Sequence, residues 1–124
     1  MPYIKANDGR REALRKGEPA LNAGELNYQI FYYVKHHYYN TLFDVQYDTI
    51  KKFVEQFLWQ GKNYQRYNDM TGALLRCSIE LARRLGGYSK VKISIKAILE
   101  VSKSYDNEIA IYEDKKIIEN SDVE

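Results

Sequence analysis

The sequence predicts a small, mainly helical protein, an antiparallel helical bundle with a β-hairpin near its C-terminal end. Apolar residues recur at three- and four-residue spacing in three segments, about 23–39, 45–60 and 68–85. These segments also carry capping or terminating residues at their ends. After position 90 apolar and polar residues alternate, which is typical of a strand. A chain of 124 residues is expected to form a single domain, 1–124.

The first predicted helix follows an N-terminal arm, 1–20, and begins after Asn22. The arm could hold one turn of helix around Arg10–Arg15. The Asn22 side chain can accept a hydrogen bond from the backbone two or three residues later, and Glu25 can reach back toward it to complete a capping box. The helix runs to about Tyr39 and is apolar or aromatic on nearly all sides. Because such a helix is usually buried on two sides, we expect a homo-oligomer in which a second copy covers one of them.

The second predicted helix covers about 45–60, with Asp44 or Asp48 as its cap and Gly61 after its end. Polar and charged residues take one face of this segment, and apolar residues follow an amphipathic pattern on the other. That apolar face consists of Ile50, Phe53, Val54, Phe57 and Leu58.

The third predicted helix covers about 68–85, and Asn68 or Asp69 is its expected cap. Gly86 and Gly87 follow its last apolar residue. Glycine readily adopts the left-handed conformation at a helix end, so this pair is expected to terminate the helix.

The stretch from about 90 to 112 is compatible with two structures. β-Branched residues alternate with polar ones before Ala97, which favours a strand, and Asp106 with Asn107 can turn the chain into a second strand. The same stretch also places apolar residues at helical spacing, and after Ala97 a helix is at least as well supported. We predict the β-hairpin, followed by a C-terminal tail over 113–124.

Composition excludes several classes of protein. The single cysteine rules out an internal disulfide framework and a zinc site with several cysteines, which fits a cytoplasmic location. No apolar run approaches the ~20 residues needed to cross a bilayer, and the polar start is unlike a signal peptide, so we expect no membrane association. A net charge of +2 does not by itself indicate a nucleic-acid partner.

Three short patches appear in a distinctive order along the chain. They are MPYI at residues 1–4, GELNY at 24–28, and the ending YEDKKI with NSDV from Tyr112 onward. Together they resemble a family of short uncharacterised proteins found in bacteriophages and microbial genomes. The chain departs from that pattern at several positions, among them Ala23 and Ser121, where the family carries proline and glycine. The resemblance implies a phage-type context and the cytoplasm of a host cell, and no particular reaction.

Residues suited to catalysis or to metal binding are few. His36 and His37 are the two histidines, and neighbours on a helix point about 100° apart, so they cannot hold one metal in the usual four-residue spacing. Cys77 paired with a histidine is the remaining nucleophilic arrangement, but it lies on an apolar stripe. We therefore expect no metal or cofactor, and binding rather than catalysis.

Tyrosine and arginine carry the functional hypothesis. Stacking rings and guanidinium groups are what a nucleotide or macromolecular ligand requires, and the candidate contacts are Tyr28, Tyr32, Arg83, Arg84 and Lys116. We expect a homo-oligomer that binds such a ligand, or a host protein, to counter a host function. The alternative is a DNA- or RNA-binding protein that uses its arginines, lysines and tyrosines.

Overall fold

A computed structural model of the chain describes residues 9–119, with side chains to 115. Over that range it contains six helices and no strand. They are α1 (Gly9–Arg15), α2 (Ala23–His37), α3 (Phe43–Trp59), α4 (Tyr64–Arg84), α5 (Tyr88–Lys103) and α6 (Asp106–Glu119). The predicted mainly helical bundle is confirmed, and α2, α3 and α4 correspond to the three predicted helices. The MPYI patch at 1–4 and the NSDV ending at 120–123 lie outside the described residues, whereas YEDKKI at 112–117 belongs to α6.

The predicted β-hairpin over about 90–112 is wrong, because this stretch belongs to α5 and α6. Alternation placed Ile93 and Ile95 on one face, yet Ile95 is buried and Ile93 is 51% exposed. Asp106 and Asn107, the predicted turn, are instead the first residues of α6. α5 packs against both α3 and α4, and that contact selects the helical pattern. The buried residues at helical spacing are Val91, Ile95, Ile98 and Val101.

α4 is the central helix, since it contacts α2, α3, α5 and α6. Its buried residues recur every three or four positions and meet the apolar faces of its neighbours. Among them are Met70, Leu74, Cys77 and Leu81. No helix between residues 9 and 119 is both long enough and apolar enough to cross a membrane.

The start of α2 confirms the predicted cap and corrects the role of Glu25. The Asn22 Oδ1 accepts a hydrogen bond from the Glu25 backbone N–H at 2.9 Å. The Glu25 carboxylate accepts from the Leu21 N–H at 2.9 Å and pairs with Arg10 of α1. Glu25 therefore secures the chain before α2 as well as the helix itself.

Polar contacts fasten α1 onto α2. Arg10 donates two hydrogen bonds to the Glu25 carboxylate, from Nε and from Nη2, each 3.0 Å long. The buried Gln29 side chain donates from Nε2 to the carbonyl oxygens of Leu14 and Glu18. Two-pronged arginine–carboxylate contacts fix orientation as well as distance, so α1 has a defined position on α2.

The other helix boundaries differ slightly from those predicted. α3 begins at Phe43 without a side-chain cap, so neither Asp44 nor Asp48 caps it. α4 begins about one turn earlier than position 68, because the Asn63 side chain accepts from the Arg66 N–H at 2.9 Å and caps it there. The glycine pair after α4 has positive φ angles of 90° and 109°, as its predicted terminating role requires.

Candidate functional site

A cleft of about 310 Å³ lies between α1, α2 and the C-terminal end of α4. Four of its eight lining residues are arginine or lysine and none of the eight is acidic, so we call it the basic cleft. The lining residues are Arg11, Arg15, Tyr28, Phe31, Tyr32, Lys35, His36 and Arg84.

The short helix α1 places two arginines beside the tyrosine rings of α2. Arg15 donates from Nε to the Tyr28 hydroxyl at 2.7 Å, and its guanidinium carbon lies 4.7 Å from the centre of the Tyr32 ring. The Arg11 guanidinium carbon lies 5.4 Å from the centre of the Tyr28 ring. These are cation–π distances, so ring faces as well as a hydrogen bond hold the two guanidinium groups at the cleft.

Three rings form a column along α2, because Tyr28, Tyr32 and His36 follow one another at four-residue spacing. The ring centres of Tyr28 and Tyr32 are 6.1 Å apart, and those of Tyr32 and His36 are 4.4 Å apart. Burial decreases along the column, from Tyr28 at 5% exposure through a half-buried Tyr32 to an exposed His36. The aromatic segment thus begins in the core and ends at the surface of the cleft.

The end of α4 adds two arginines that share one carboxylate. Arg83 donates to Oε2 of Glu80 from Nη2 at 2.6 Å, and Arg84 donates to the same oxygen from Nε at 3.3 Å. The hydrogen bond from Arg83, with the charges of both arginines, holds the pKa of the Glu80 carboxyl below its usual range. The carboxylate stays ionised at neutral pH and cancels one of the two positive charges.

A second depression, of about 430 Å³, adjoins the basic cleft and shares three residues with it. The shared residues are Phe31, Lys35 and Arg84, and Arg83 and Leu85 complete the lining. The positively charged surface therefore extends from α1 to the end of α4.

The structure brings together four of the five residues proposed from sequence. Tyr28, Tyr32 and Arg84 line the basic cleft, and Arg83 lines the adjoining depression. Lys116 belongs to α6, and its side chain lies outside the described residues.

Five lining residues were not among the contacts predicted from sequence, and they are Arg11, Arg15, Phe31, Lys35 and His36. Arg11 and Arg15 lie four residues apart, the spacing of neighbours on a helix, and that was the available signal for a shared face. The residues of α1 had been assigned to an N-terminal arm that could hold one turn of helix around Arg10–Arg15, and nothing local to them indicates which helix they contact.

Cys77, the candidate nucleophile, is poorly placed for catalysis. Cys77 is completely buried on α4, and burial raises the pKa of its thiol. His36 and His37 are both exposed on α2. Within residues 9–119, no three His, Cys, Asp or Glu side chains are grouped so as to hold a metal ion.

Comparison with known families gives one result. A family described as a domain of unknown function (DUF6899) matches residues 1–123, nearly the whole chain. Comparisons with curated proteins and with solved structures gave no match.

Proposed function

We propose, for a chain that belongs to the DUF6899 family of unknown function, that the protein acts by binding a nucleotide in the basic cleft. The observation that carries this proposal is the juxtaposition of four cationic side chains with the ring column of α2, and with no acidic residue in the lining. One part of the cleft suits a phosphate group and the other suits a flat ring.

The chemistry of each part supports this division. Arginine presents planar, fixed donors that match phosphate oxygens, and Arg11, Arg15 and Arg84 reach the cleft from two different helices. His36 offers exposed ring surface on which a base can stack, and the half-buried Tyr32 ring lies beside it. A volume of about 310 Å³ is at the small end of the range for ligand sites, which fits a single nucleotide.

Homo-oligomerisation and a phage-type role are part of the same proposal. Leu75 and Ile79 lie one turn apart on α4 and are both exposed, so they form an apolar face that a second copy can cover. The family resemblance supports a phage context, in which a protein that retains a nucleotide would counter a host function that depends on it. The Ile79→Lys variant should shift the native mass toward the monomer if this face forms the interface.

The alternative is binding of single-stranded DNA or RNA, and the adjoining depression favours it. The two depressions together form a longer cationic path than one nucleotide needs, and a strand can follow such a path while its bases stack on rings. The dependence of affinity on salt concentration distinguishes the two functions. A strand that contacts all five arginine and lysine side chains of the two depressions should lose affinity with a log–log slope of about −3.5, and this slope should become shallower as the oligonucleotide is shortened.

The first experiment is native mass spectrometry of the protein purified without added ligand, followed by calorimetric titration with nucleoside mono-, di- and triphosphates and with oligothymidylate. We expect the native mass to exceed that of the protein alone by the mass of a nucleotide, or the calorimetric titration to saturate with one of the nucleotides. The charge-reversed variant Arg83→Glu/Arg84→Glu should weaken binding by about a hundredfold, since each hydrogen bond to a charged group contributes about 1.5 to 3 kcal/mol.

Arg76→Glu is the matched control, because Arg76 is also an exposed arginine of α4 and lines neither depression. It should bind as the wild type does. Unchanged binding in the double variant, or an equal loss in the control, would show that the cleft is not the site.

A further inference from the structure

A second groove, of about 470 Å³, lies where α3 and the loop after it meet the junction of α5 and α6. None of its lining residues belongs to the basic cleft. We call it the Trp59 groove. Its lining residues are Lys51, Glu55, Gln56, Leu58, Trp59, Lys62, Ser104, Tyr105 and Glu108.

The groove carries charges of both signs that do not neutralise one another. Two lysines and two glutamates line it, and none of the four forms a salt bridge with any residue in the described range. The Lys51 ammonium lies 5.9 and 5.6 Å from the ring centres of Tyr47 and Tyr105. Glu108 accepts a hydrogen bond from the Tyr67 hydroxyl. A ligand with charges of both signs would meet a counter-charge for each.

The groove also offers an exposed aromatic ring. Trp59, the last residue of α3, is 85% exposed, whereas its neighbour Leu58 is buried. An apolar group that covers this exposed indole removes apolar surface from water, which lowers the free energy of the complex. The groove is therefore suited to a ligand with an apolar or aromatic portion.

Two polar atoms at the groove have no hydrogen-bond partner in the described part of the chain. They are the hydroxyl oxygen of Tyr105, a residue only 7% exposed, and the side-chain carbonyl oxygen of Gln56. Buried polar groups are nearly always partnered, and each exception calls for an explanation. Both residues line the groove, and a ligand can supply the missing donor and acceptor only when the side chains that cover these two atoms move.

We propose that the Trp59 groove binds a zwitterionic ligand of the amino-acid class, one that carries an ammonium, a carboxylate and an apolar or aromatic side chain. Glu55 and Glu108 face the ammonium, Lys62 and Lys51 face the carboxylate, and Trp59 covers the side chain. The same chemistry is found in a free amino acid and in a short peptide. This site is independent of the function proposed for the basic cleft.

The chain provides its own reporter, because Trp59 is its single tryptophan. Tryptophan emission is recorded while the full chain is titrated with three probes that share a phenyl ring, namely phenylalanine, phenethylamine and 3-phenylpropionate. The expected result is a saturable change with phenylalanine, and at least about tenfold weaker binding of the two singly charged probes, which each lose one counter-charge. Calorimetry of the same titrations provides a second readout.

Three results would overturn the proposal. They are no saturable change with phenylalanine, equal affinity for all three probes, or unchanged phenylalanine affinity in both Glu55→Gln and Lys62→Met. The matched controls are Glu100→Gln and Lys52→Met, two exposed residues outside the groove, and they should bind phenylalanine normally. Glycylphenylalanine distinguishes the sources, since a peptide ligand predicts that it binds more tightly than the free amino acid, and a free amino acid predicts the reverse.

This test does not depend on whether the basic cleft binds a nucleotide. Arg83→Glu/Arg84→Glu should bind phenylalanine as the wild type does. A simultaneous loss of phenylalanine binding in that variant would contradict the independence of the two sites.

Discussion

The basic cleft and the Trp59 groove are lined by similar types of residue but differ in charge and in the hydrogen bonding of their tyrosines. Both combine tyrosine with lysine or arginine, but the Tyr28 hydroxyl accepts a hydrogen bond from Arg15, whereas the Tyr105 hydroxyl has no partner in the described residues. The cleft is lined by charge of one sign and the groove by charge of both. What surrounds the polar tip of a tyrosine therefore determines its role, and a count of twelve tyrosines does not.

The two regions also differ in what supports them. Two arginines of the cleft belong to α1, a helix of seven residues whose main contacts are with α2 and the chain leading into it. The groove depends on α3 and on the α5–α6 junction. A change at the anchor of α1 should therefore affect one region and leave the other unchanged.

The largest expected effect follows from Glu25→Ala. This variant removes both hydrogen bonds from Arg10 and the acceptor of the Leu21 N–H, and it leaves a half-buried guanidinium without that carboxylate. We expect a loss of about 2 to 3 kcal/mol in the free energy of unfolding, measured by urea denaturation. Affinity for the nucleotide should fall because Arg11 and Arg15 lose their fixed position.

Phenylalanine binding at the Trp59 groove should survive in Glu25→Ala under conditions in which the variant is folded. Glu12→Ala is the matched control, since Glu12 forms an exposed pair with Lys16 on α1. Such pairs contribute little, so its stability should change by less than about 0.5 kcal/mol. Equal losses in the two variants would show that α1 is not anchored through Glu25.

The helical part of the fold could be predicted because amphipathic spacing and end signals agreed. Asn22 at the start of α2 and the glycine pair after α4 act on the adjacent backbone. The helix ends that they set can therefore be predicted from the sequence. The hairpin failed for the opposite reason. Alternation around Ile93 is a local pattern, and the packing of α5 between α3 and α4 overrode it.

The candidate site was predictable only in part. Tyr28, Tyr32 and Arg84 could be proposed because α2 and α4 were recognised as helices. Arg11 and Arg15 were not proposed, because their position depends on the long-range contact between Arg10 and Glu25. The Trp59 groove was not predicted at all, since α5 and α6, which form one wall of it, had been taken for strands.

A matched pair of Tyr→Phe variants sharpens the comparison, with a smaller effect. Tyr28→Phe removes the acceptor of the Arg15 hydrogen bond and should cost about 1 to 2 kcal/mol in the free energy of unfolding. Tyr105→Phe removes a buried hydroxyl that has no described partner, so it should be neutral or stabilise the protein by about 1 kcal/mol.

Both variants are compared by urea denaturation, with phenylalanine absent and then present. Added phenylalanine should raise the stability of Tyr105→Phe less than that of the wild type, if the hydroxyl bonds to the ligand. A loss of equal size in the two variants would mean that Tyr105 has a hydrogen-bond partner in the free protein, and the contrast between the two regions would fail.

The smallest expected effect is on the stability of the fold at acidic pH. The pKa of Glu80 in the folded protein is lower than its ordinary value of 4.5, chiefly because Arg83 donates a hydrogen bond to its carboxylate. The ionised carboxylate therefore stabilises the fold above that pH, and this contribution is lost as the pH falls below 4.5 toward the lowered pKa. Glu80→Gln should be less stable than the wild type at neutral pH, and the difference should shrink in acid.

Glu55→Gln is the comparison from the Trp59 groove, because Glu55 forms no salt bridge with a described residue. Because no cation pairs with this carboxylate in the described residues, its removal should change the urea midpoint little at any pH of the series. The measurement is the urea midpoint of the three proteins at several pH values. If Glu80→Gln also ran parallel to the wild type, the two arginines would not stabilise the Glu80 carboxylate.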